Sequence, residues 1–259
     1  MLQHRVIPTL LLKNTGLVKT KKFKKPTYIG DPINAVKIFN DKGVDEIVFL
    51  DITKTLKKEE PNYELIEEIA NECFIPFAYG GGIKSLDSIR RILKLGAEKV
   101  VLNSITFYNP ELITEAKNIF GSQSIVVSID YKKNFFGVNK VYIENGKKNT
   151  GFSPLEYALK MEELGAGEIF MNSIDREGTR TGYDIDVLKL VSNSLSIPVI
   201  ASGGANSIED MKKVINQSNV SAVAAGSMFV YYGDKDGVLI NYPDRAEISS
   251  LNQANHLEF

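Results

Sequence analysis

The sequence predicts a single α/β domain folded as a (β/α)8 barrel. Three observations lead there. The chain has 259 residues, near the ~250 typical of that architecture. Eight short apolar runs alternate with amphipathic segments. The chain also repeats itself at one fixed offset.

The apolar runs, in order, are RVIPTLLL, EIVFLDI, IPFAYGG, KVVLNS, SIVVSIDY, EIFMNSI, IPVIASGG and VAAGSMF. They are nearly continuously apolar and rich in Val and Ile, as strands covered on both faces should be. Between them lie DPINAVKIFNDKG, NYELIEEIANEC, SLDSIRRILKLG and SPLEYALKMEELG, whose apolar residues recur three and four apart. That spacing buries one helical face, and the glycines that close several of these segments are helix stops. Alternation of strand and helix implies parallel strands with right-handed crossovers, and eight units favour closure.

GVDEIVFLDI begins at Gly43 and GAGEIFMNSI at Gly165; IPFAYGGGIKSLDSIRRI begins at Ile75 and IPVIASGGANSIEDMKKV at Ile197. Both pairs are offset by 122 residues. A shared offset predicts a TIM barrel built from two duplicated half-barrels, at about residues 1–122 and 123–240, with a tail at 244–259. The only charge run, KTKKFKK at 19–25, reads as a solvated loop placed after the first strand, at the end where barrel active sites lie.

Hydrophobic residues make up 43% and charged residues 24%, with a net charge of −1. That balance excludes a nucleic-acid binder held by bulk electrostatics. One cysteine, Cys73, excludes an internal disulfide and a multi-cysteine metal site, and fits a cytoplasmic setting. No apolar stretch reaches ~18 residues, so no membrane span is expected, and a membrane is not among the expected partners. The first run lacks a small-residue cleavage site and reads as a strand. The two histidines are His4, beside that strand, and His256, in the terminal LNQANHLEF. Neither suggests histidine catalysis or a His-ligated metal; no metal and no cofactor are expected.

Each half carries a glycine-rich strand end. The first is Gly80-Gly81-Gly82, followed one strand later by Asn103-Ser104; the second is Gly203-Gly204, followed by Gly226-Ser227. Glycine lets backbone approach an anion, and successive N–H groups form a concavity for it. One cluster alone could be a tight turn. Two clusters related by the repeat point to a small-molecule ligand with a phosphate at each end.

The segments GDP (30–32), FLDIT (49–53), GGGI (80–83), FGSQ (120–123), GKKNTG (146–151), SIDREGTRTGYD (173–184) and IASGGA (200–205) resemble, in order and spacing, the cyclase subunit of imidazole glycerol phosphate synthase, over roughly residues 1–230. That resemblance implies a subunit that takes ammonia from a glutaminase partner in a heterodimer. The ammonia passes through the barrel to a bisphosphorylated substrate. It implies substrate contacts from Lys19, Asp51, Glu177 and Gly178 besides the two cradles. It also implies two general acid–base aspartates, because ring closure needs groups in different protonation states. One is Asp130. The other position is occupied by Leu11, in Leu10-Leu11-Leu12-Lys13 where the family has Leu-Asp-Val-Lys. Glu177 stands where Asp is more usual. The family's ammonia gate maps onto Arg5, Glu46, Lys99 and Glu168, all of the expected charge; singly, each reads as an exposed strand-start charge.

Leu11, together with GVLINYP (237–243) in place of an amphipathic last helix, makes the chain similar to a paralogous branch. That branch supplies ammonia to a third enzyme, a sugar amidotransferase forming acetamidino sugars for lipopolysaccharide and similar glycans. The alternatives are a true cyclase and lyase of histidine biosynthesis, with Asp130 assisted by water or Asp51, and a phosphate-binding scaffold barrel without catalysis.

Overall fold

A computed structural model of the chain describes residues 3–233 and 236–251. Eight parallel strands close on themselves: β1 (Arg5–Lys13), β2 (Ile47–Asp51), β3 (Phe77–Gly80), β4 (Lys99–Leu102), β5 (Ile125–Lys133), β6 (Glu168–Ser173), β7 (Val199–Ser202) and β8 (Ala222–Ala225). Each pairs with its sequence neighbours, and β8 returns to β1 with Arg5 opposite Ala222. The expected (β/α)8 barrel is therefore the fold, with one strand from each of the eight apolar runs.

The crossover helices are α1 (Pro32–Lys42), α2 (Tyr63–Glu72), α3 (Leu86–Lys94), α4 (Glu111–Phe120), α5 (Pro154–Leu164), α6 (Ile185–Ser194) and α7 (Ile208–Gln217). Their ends follow local chemistry. Asp31 caps α1 by accepting from the Asn34 N–H, Pro32 supplies a first residue that needs no N–H partner, and Gly43 closes the helix in a left-handed conformation. Ser153 and Glu156 form a reciprocal capping box at α5, and Ser85 with Ser88 does so at α3.

Strand residues alternate between two cores. Val6, Leu10, Phe49, Phe77, Val127 and Ile169 face the helices. Ile7, Val48, Ala78, Val101, Val126, Phe170, Ile200, Ala222 and Ala224 fill the barrel interior. The period of two makes this division.

Three segments depart from the sequence reading. The basic run at 19–25 is not a solvated loop. It belongs to an antiparallel hairpin, Gly16–Lys21 with Lys24–Gly30, that extends the end of β1. Leu17, Val18, Lys19 and Thr20 are buried in it, because the first arm packs on the barrel mouth while the tip stays in solvent. The final run, VAAGSMF, is a strand only to Ala225; Ser227–Val230 is one helical turn. The end of β5 continues into a second antiparallel hairpin with Asn139–Ile143, Asp130 lying opposite Tyr142. In the expected tail, α8 (Arg245–Leu251) packs back through the buried Leu251. Just before it, Tyr242 donates its hydroxyl to the Val6 carbonyl at 2.9 Å. His256 lies outside the described residues.

Candidate active site

The C-terminal ends of the strands surround a cavity of about 660 Å³. Along seven of the eight strands the inward-facing residue changes from apolar to polar or glycine two positions further on: Ile7 gives way to Thr9, Ala78 to Gly80, Val101 to Asn103, Val126 to Ser128, Phe170 to Asn172, Ile200 to Ser202 and Ala224 to Gly226; on β2, Val48 is followed by the apolar Leu50. An apolar bore thus ends in a polar cavity floor.

Asp130, one step further along β5 on the same face, is buried at that floor. Its Oδ1 accepts from Asn172 Nδ2 at 3.0 Å and its Oδ2 from Asn103 Nδ2 at 3.1 Å. Burial pushes its carboxyl up to about 7, against the lowering by those two amides and with a further rise from the nearby Glu177 carboxylate. A carboxyl poised there can give or take a proton at neutral pH.

Leu11 lines the same cavity, buried, with Leu50 beside it in register. The position at which the sequence resemblance implies an aspartate thus presents a hydrocarbon surface that neither accepts nor donates a proton. Another carboxylate is close at hand. Asp51, at the end of β2, accepts from the Thr53 N–H at 2.9 Å and the Thr53 hydroxyl at 2.6 Å through Oδ1. Its buried Oδ2 has no partner among the described residues. The same holds for Thr9 Oγ1 and Asn172 Oδ1.

The glycine clusters line opposite parts of the cavity. Two of them admit no side chain. At Gly81, φ is +121° and a Cβ would lie 2.4 Å from the Asp51 carbonyl oxygen. At Gly204, φ is +106° and a Cβ would lie 2.1 Å from the Gly182 carbonyl oxygen, while the Gly182 N–H donates to the Gly204 carbonyl at 2.8 Å. Gly82, Asn103 and Ser104 continue the first wall; Gly203, Gly226 and Ser227 continue the second. Lys19 reaches the second wall, where a Cβ on residue 226 would stand 2.5 Å from its Nζ.

Lys19 Nζ also pairs with Glu177 Oε1 at 2.6 Å, and the Thr20 hydroxyl donates to Glu177 Oε2 at 3.0 Å. The Glu177 carbonyl accepts the Lys22 N–H at 2.9 Å. Glu177 and Gly178 therefore tie the first hairpin to the loop after β6, and both line the cavity. All the residues singled out in sequence for acid–base or substrate work meet in this one cavity. Sequence reasoning missed Asn172, Thr9, Ser128 and Ser202. A period-of-two reading from Glu168 through Phe170 would have turned Asn172 inward.

At the opposite end, Arg5, Glu46, Lys99 and Glu168 form a closed ring of alternating charge. Arg5 bonds both carboxylates, and Lys99 Nζ lies 3.1 Å from Glu46 and 3.2 Å from Glu168. These are not exposed strand-start charges: Glu46 and Glu168 are buried. Burial opposes the Arg5 charge, but Glu168 and Glu46 outweigh it and hold its pKa above the usual value. The interior between ring and cavity is apolar, with Ala78, Ala222 and Ala224 the smallest of its lining.

Among the described residues no group of three or more His, Cys, Asp or Glu side chains could hold a metal ion. No helix among them is long and apolar enough to cross a membrane.

Comparison with known proteins places this geometry in a family. The profile of the histidine biosynthesis protein family matches residues 5–236. A Pseudomonas aeruginosa protein provisionally named imidazole glycerol phosphate synthase subunit hisF2 is 52% identical over 244 residues, covering 94% of this chain and 97% of that protein. A Leptospira interrogans protein provisionally named imidazole glycerol phosphate synthase subunit HisF is 47% identical over 252 residues, covering 97% and 99%. Imidazole glycerol phosphate synthase subunit HisF of Lactococcus lactis subsp. cremoris (strain SK11) is 47% identical over 235 residues, 90% of each chain. With the barrel, the paired glycine walls and Asp130 in place, the chain belongs to the histidine biosynthesis protein family, as a HisF-type imidazole glycerol phosphate synthase subunit.

Proposed function

We propose that the chain is the ammonia-receiving subunit of a glutamine amidotransferase pair, in which the barrel conducts ammonia rather than closing an imidazole ring. The observation that carries this reading is the contrast between the two ends. The ring of Arg5, Glu46, Lys99 and Glu168 is closed by ion pairs, whereas the cavity presents the hydrocarbon Leu11 where the resemblance implies the second acid–base group. In this reading a glutaminase docks at the charged ring and releases ammonia there. Neutral ammonia crosses the apolar bore, which a hydrated ion would cross only at a large desolvation cost. It emerges at the floor formed by Thr9, Ser128, Ser202 and Asn172. Asp130, near neutrality in its proton affinity, is placed to control the protonation of what arrives. The two glycine walls hold phosphate groups, and Lys19 with Glu177 positions the second.

The acceptor in this reading is an activated sugar carried by a third enzyme, an amidotransferase, giving acetamidino sugars for surface polysaccharide. It rests on the resemblance of Leu11 and of residues 237–243 to that branch. The testing experiment is titration of the purified chain with a HisH-type glutaminase from the same organism. The reading expects one-to-one binding and glutamine hydrolysis stimulated by the barrel. A glutaminase that neither binds nor responds would refute it.

A second reading, a true cyclase and lyase of histidine biosynthesis, is favoured by one observation: the unpartnered, buried Oδ2 of Asp51. It gives the cavity a second carboxylate. Loss of a general acid–base group typically costs ~10²–10⁴ in rate, so this reading expects slow but measurable ring closure that disappears in Asp51→Asn.

A further inference from the structure

The hairpin that carries Asp130 at its base ends in a feature the ammonia route does not use. At its tip, in Asn134–Val138, two consecutive phenylalanines stand in solvent: Phe135 is 97% and Phe136 83% exposed. Their rings touch each other edge to face at 5.6 Å. The tip is a defined turn, since the Asn134 side chain accepts the N–H groups of Phe136 and Val138 at 2.9 and 3.0 Å and the Gly137 N–H donates to the Asn134 carbonyl at 3.0 Å. The rings are therefore presented on a braced turn. Single exposed apolar residues need no explanation, but two adjacent, fully exposed aromatic rings on a projecting turn do.

The surroundings are predominantly cationic, the acid at the base of the tip being Asp175, which accepts the Lys133 N–H at 2.9 Å. Residues 16–30 and 131–149, the two hairpins of this end, contain ten lysines and one acid, Glu144, in a chain of net charge −1. Glu144 is turned to the scaffold: its carboxylate accepts from the Tyr108 hydroxyl and its N–H donates to Ser104 Oγ. Lys21, Lys22, Lys24, Lys25, Lys133, Lys147 and Lys148 are exposed. The hairpins adjoin, because a Cβ on Gly146 would stand 3.4 Å from the Phe23 ring.

We infer that this end of the barrel docks on an anionic lipid surface, with Phe135 and Phe136 entering the headgroup–acyl boundary and the lysines of both hairpins facing acidic headgroups. Size favours a bilayer over a protein partner. A specific protein interface needs roughly 800 Å² from each side, and aromatic side chains supply only about 150–250 Å² each. A membrane accepts a small apolar wedge, and peripheral binding grows from such a wedge plus attraction to anionic lipid. An RNA partner would need a groove of stacking platforms, whereas these rings stack on each other at an apex. The sequence expectation of no membrane partner came from the lack of a long apolar run, which a two-ring tip does not require. Docking in this pose turns the cavity mouth toward the membrane and matches it to a lipid-linked or membrane-held acceptor. The inference rests on the hairpins alone and stands or falls independently of the ammonia route.

The chain has no tryptophan, so Phe135→Trp in the full-length protein gives a single reporter. It is mixed with vesicles of phosphatidylcholine alone, or with about a third phosphatidylglycerol, as in anionic inner leaflets. Docking predicts blue-shifted emission, quenching by brominated acyl chains and co-sedimentation with the anionic vesicles only. It also predicts a loss of roughly tenfold or more in partitioning for the Phe135→Ser, Phe136→Ser double variant, whose thermal unfolding should match that of the parent. Emission that stays at the fully exposed wavelength with anionic vesicles would overturn the inference. So would binding unchanged by the double variant, which marks charge alone, or a vesicle-free oligomer dissolved by the double variant, which marks a protein contact.

Discussion

Asn172 donates its side-chain N–H to Oδ1 of Asp130 at 3.0 Å across neighbouring strands, at positions directly in register. With Asn103 on the other oxygen, the amide fixes the plane of the one carboxyl group that the chain shares with the expected acid–base pair. Both bonds favour the charged form, so they temper the upward push of burial. Replacing Asn172 with Leu removes one of them. The expected outcome is a further rise in the Asp130 pKa above its value of about 7, read by carboxyl-selective NMR titration, with little change in overall fold. A pKa that falls or stays put would contradict the assigned role.

The same carboxyl makes stability depend on pH in a defined direction. An unfolded Asp ionises near ~3.9, whereas Asp130 in the folded chain ionises near about 7. Between these values the unfolded chain has lost its proton and the native chain keeps it, so this group makes stability fall as pH rises through that window and level off above it. At ~1.4 kcal/mol per unit the contribution reaches at most about 4 kcal/mol. Asp130→Asn should remove that slope and be the more stable protein above neutrality. Rotation of the Asn172 amide, whose Oδ1 is free of partners, can present an acceptor to the new side chain. Urea melts at a series of pH values decide it; parallel curves for the two proteins would contradict the assignment.

The four-charge ring should behave as one unit. Removing a carboxylate by Glu168→Gln leaves Arg5 and Lys99 sharing Glu46 alone. Full burial would make such a loss cost several kcal/mol. Arg5 is 29% exposed, so about 1–3 kcal/mol is expected, between the buried and surface limits. The double variant Lys99→Met, Glu168→Gln restores the charge balance and should recover part of the loss, which a double-mutant cycle reads as coupling. Additive losses would mean four independent surface charges.

At Gly81 the backbone excludes any side chain, because a Cβ meets the Asp51 carbonyl at 2.4 Å and its Cβ at 2.9 Å. Gly81→Ala should destabilise by more than ~2 kcal/mol and weaken binding of a phosphate-bearing ligand at the first glycine wall. Gly137→Ala is the control: φ is +75° but nothing lies within 4 Å of the added carbon, so about 1 kcal/mol is expected. Chemical denaturation of both separates the close approach from the backbone conformation.

The eight strands and their crossover helices were legible because burial on both faces writes continuous apolar runs and each helix stop writes a glycine or a cap. The two hairpins over the barrel mouth were not. KTKKFKK reads as a charged loop, yet its first arm folds onto the barrel and buries the Lys19 stem against Glu177, a partner 158 positions away that no local pattern announces. In the site, the glycine walls could be placed because strand ends and the repeat mark them, whereas Asp130 and the ring residues were placed only through the family resemblance, each reading by itself as an ordinary strand-end charge. Asn172 escaped notice because an amide at a strand end carries no motif. Its importance arises only when β6 comes beside β5 and sets it against Asp130.

The account turns on Leu11. Purified chain, saturating ammonium salt and the bisphosphorylated ribulosyl substrate, without any glutaminase, isolate the cavity from the ring. Formation of imidazole glycerol phosphate is then followed for the native chain and for Leu11→Asp. The account predicts no product from the native chain and product from Leu11→Asp, in which a second acid–base group faces Asp130 across an otherwise intact site. Steady formation of imidazole glycerol phosphate by the native chain would contradict it and give the cavity back to ring closure.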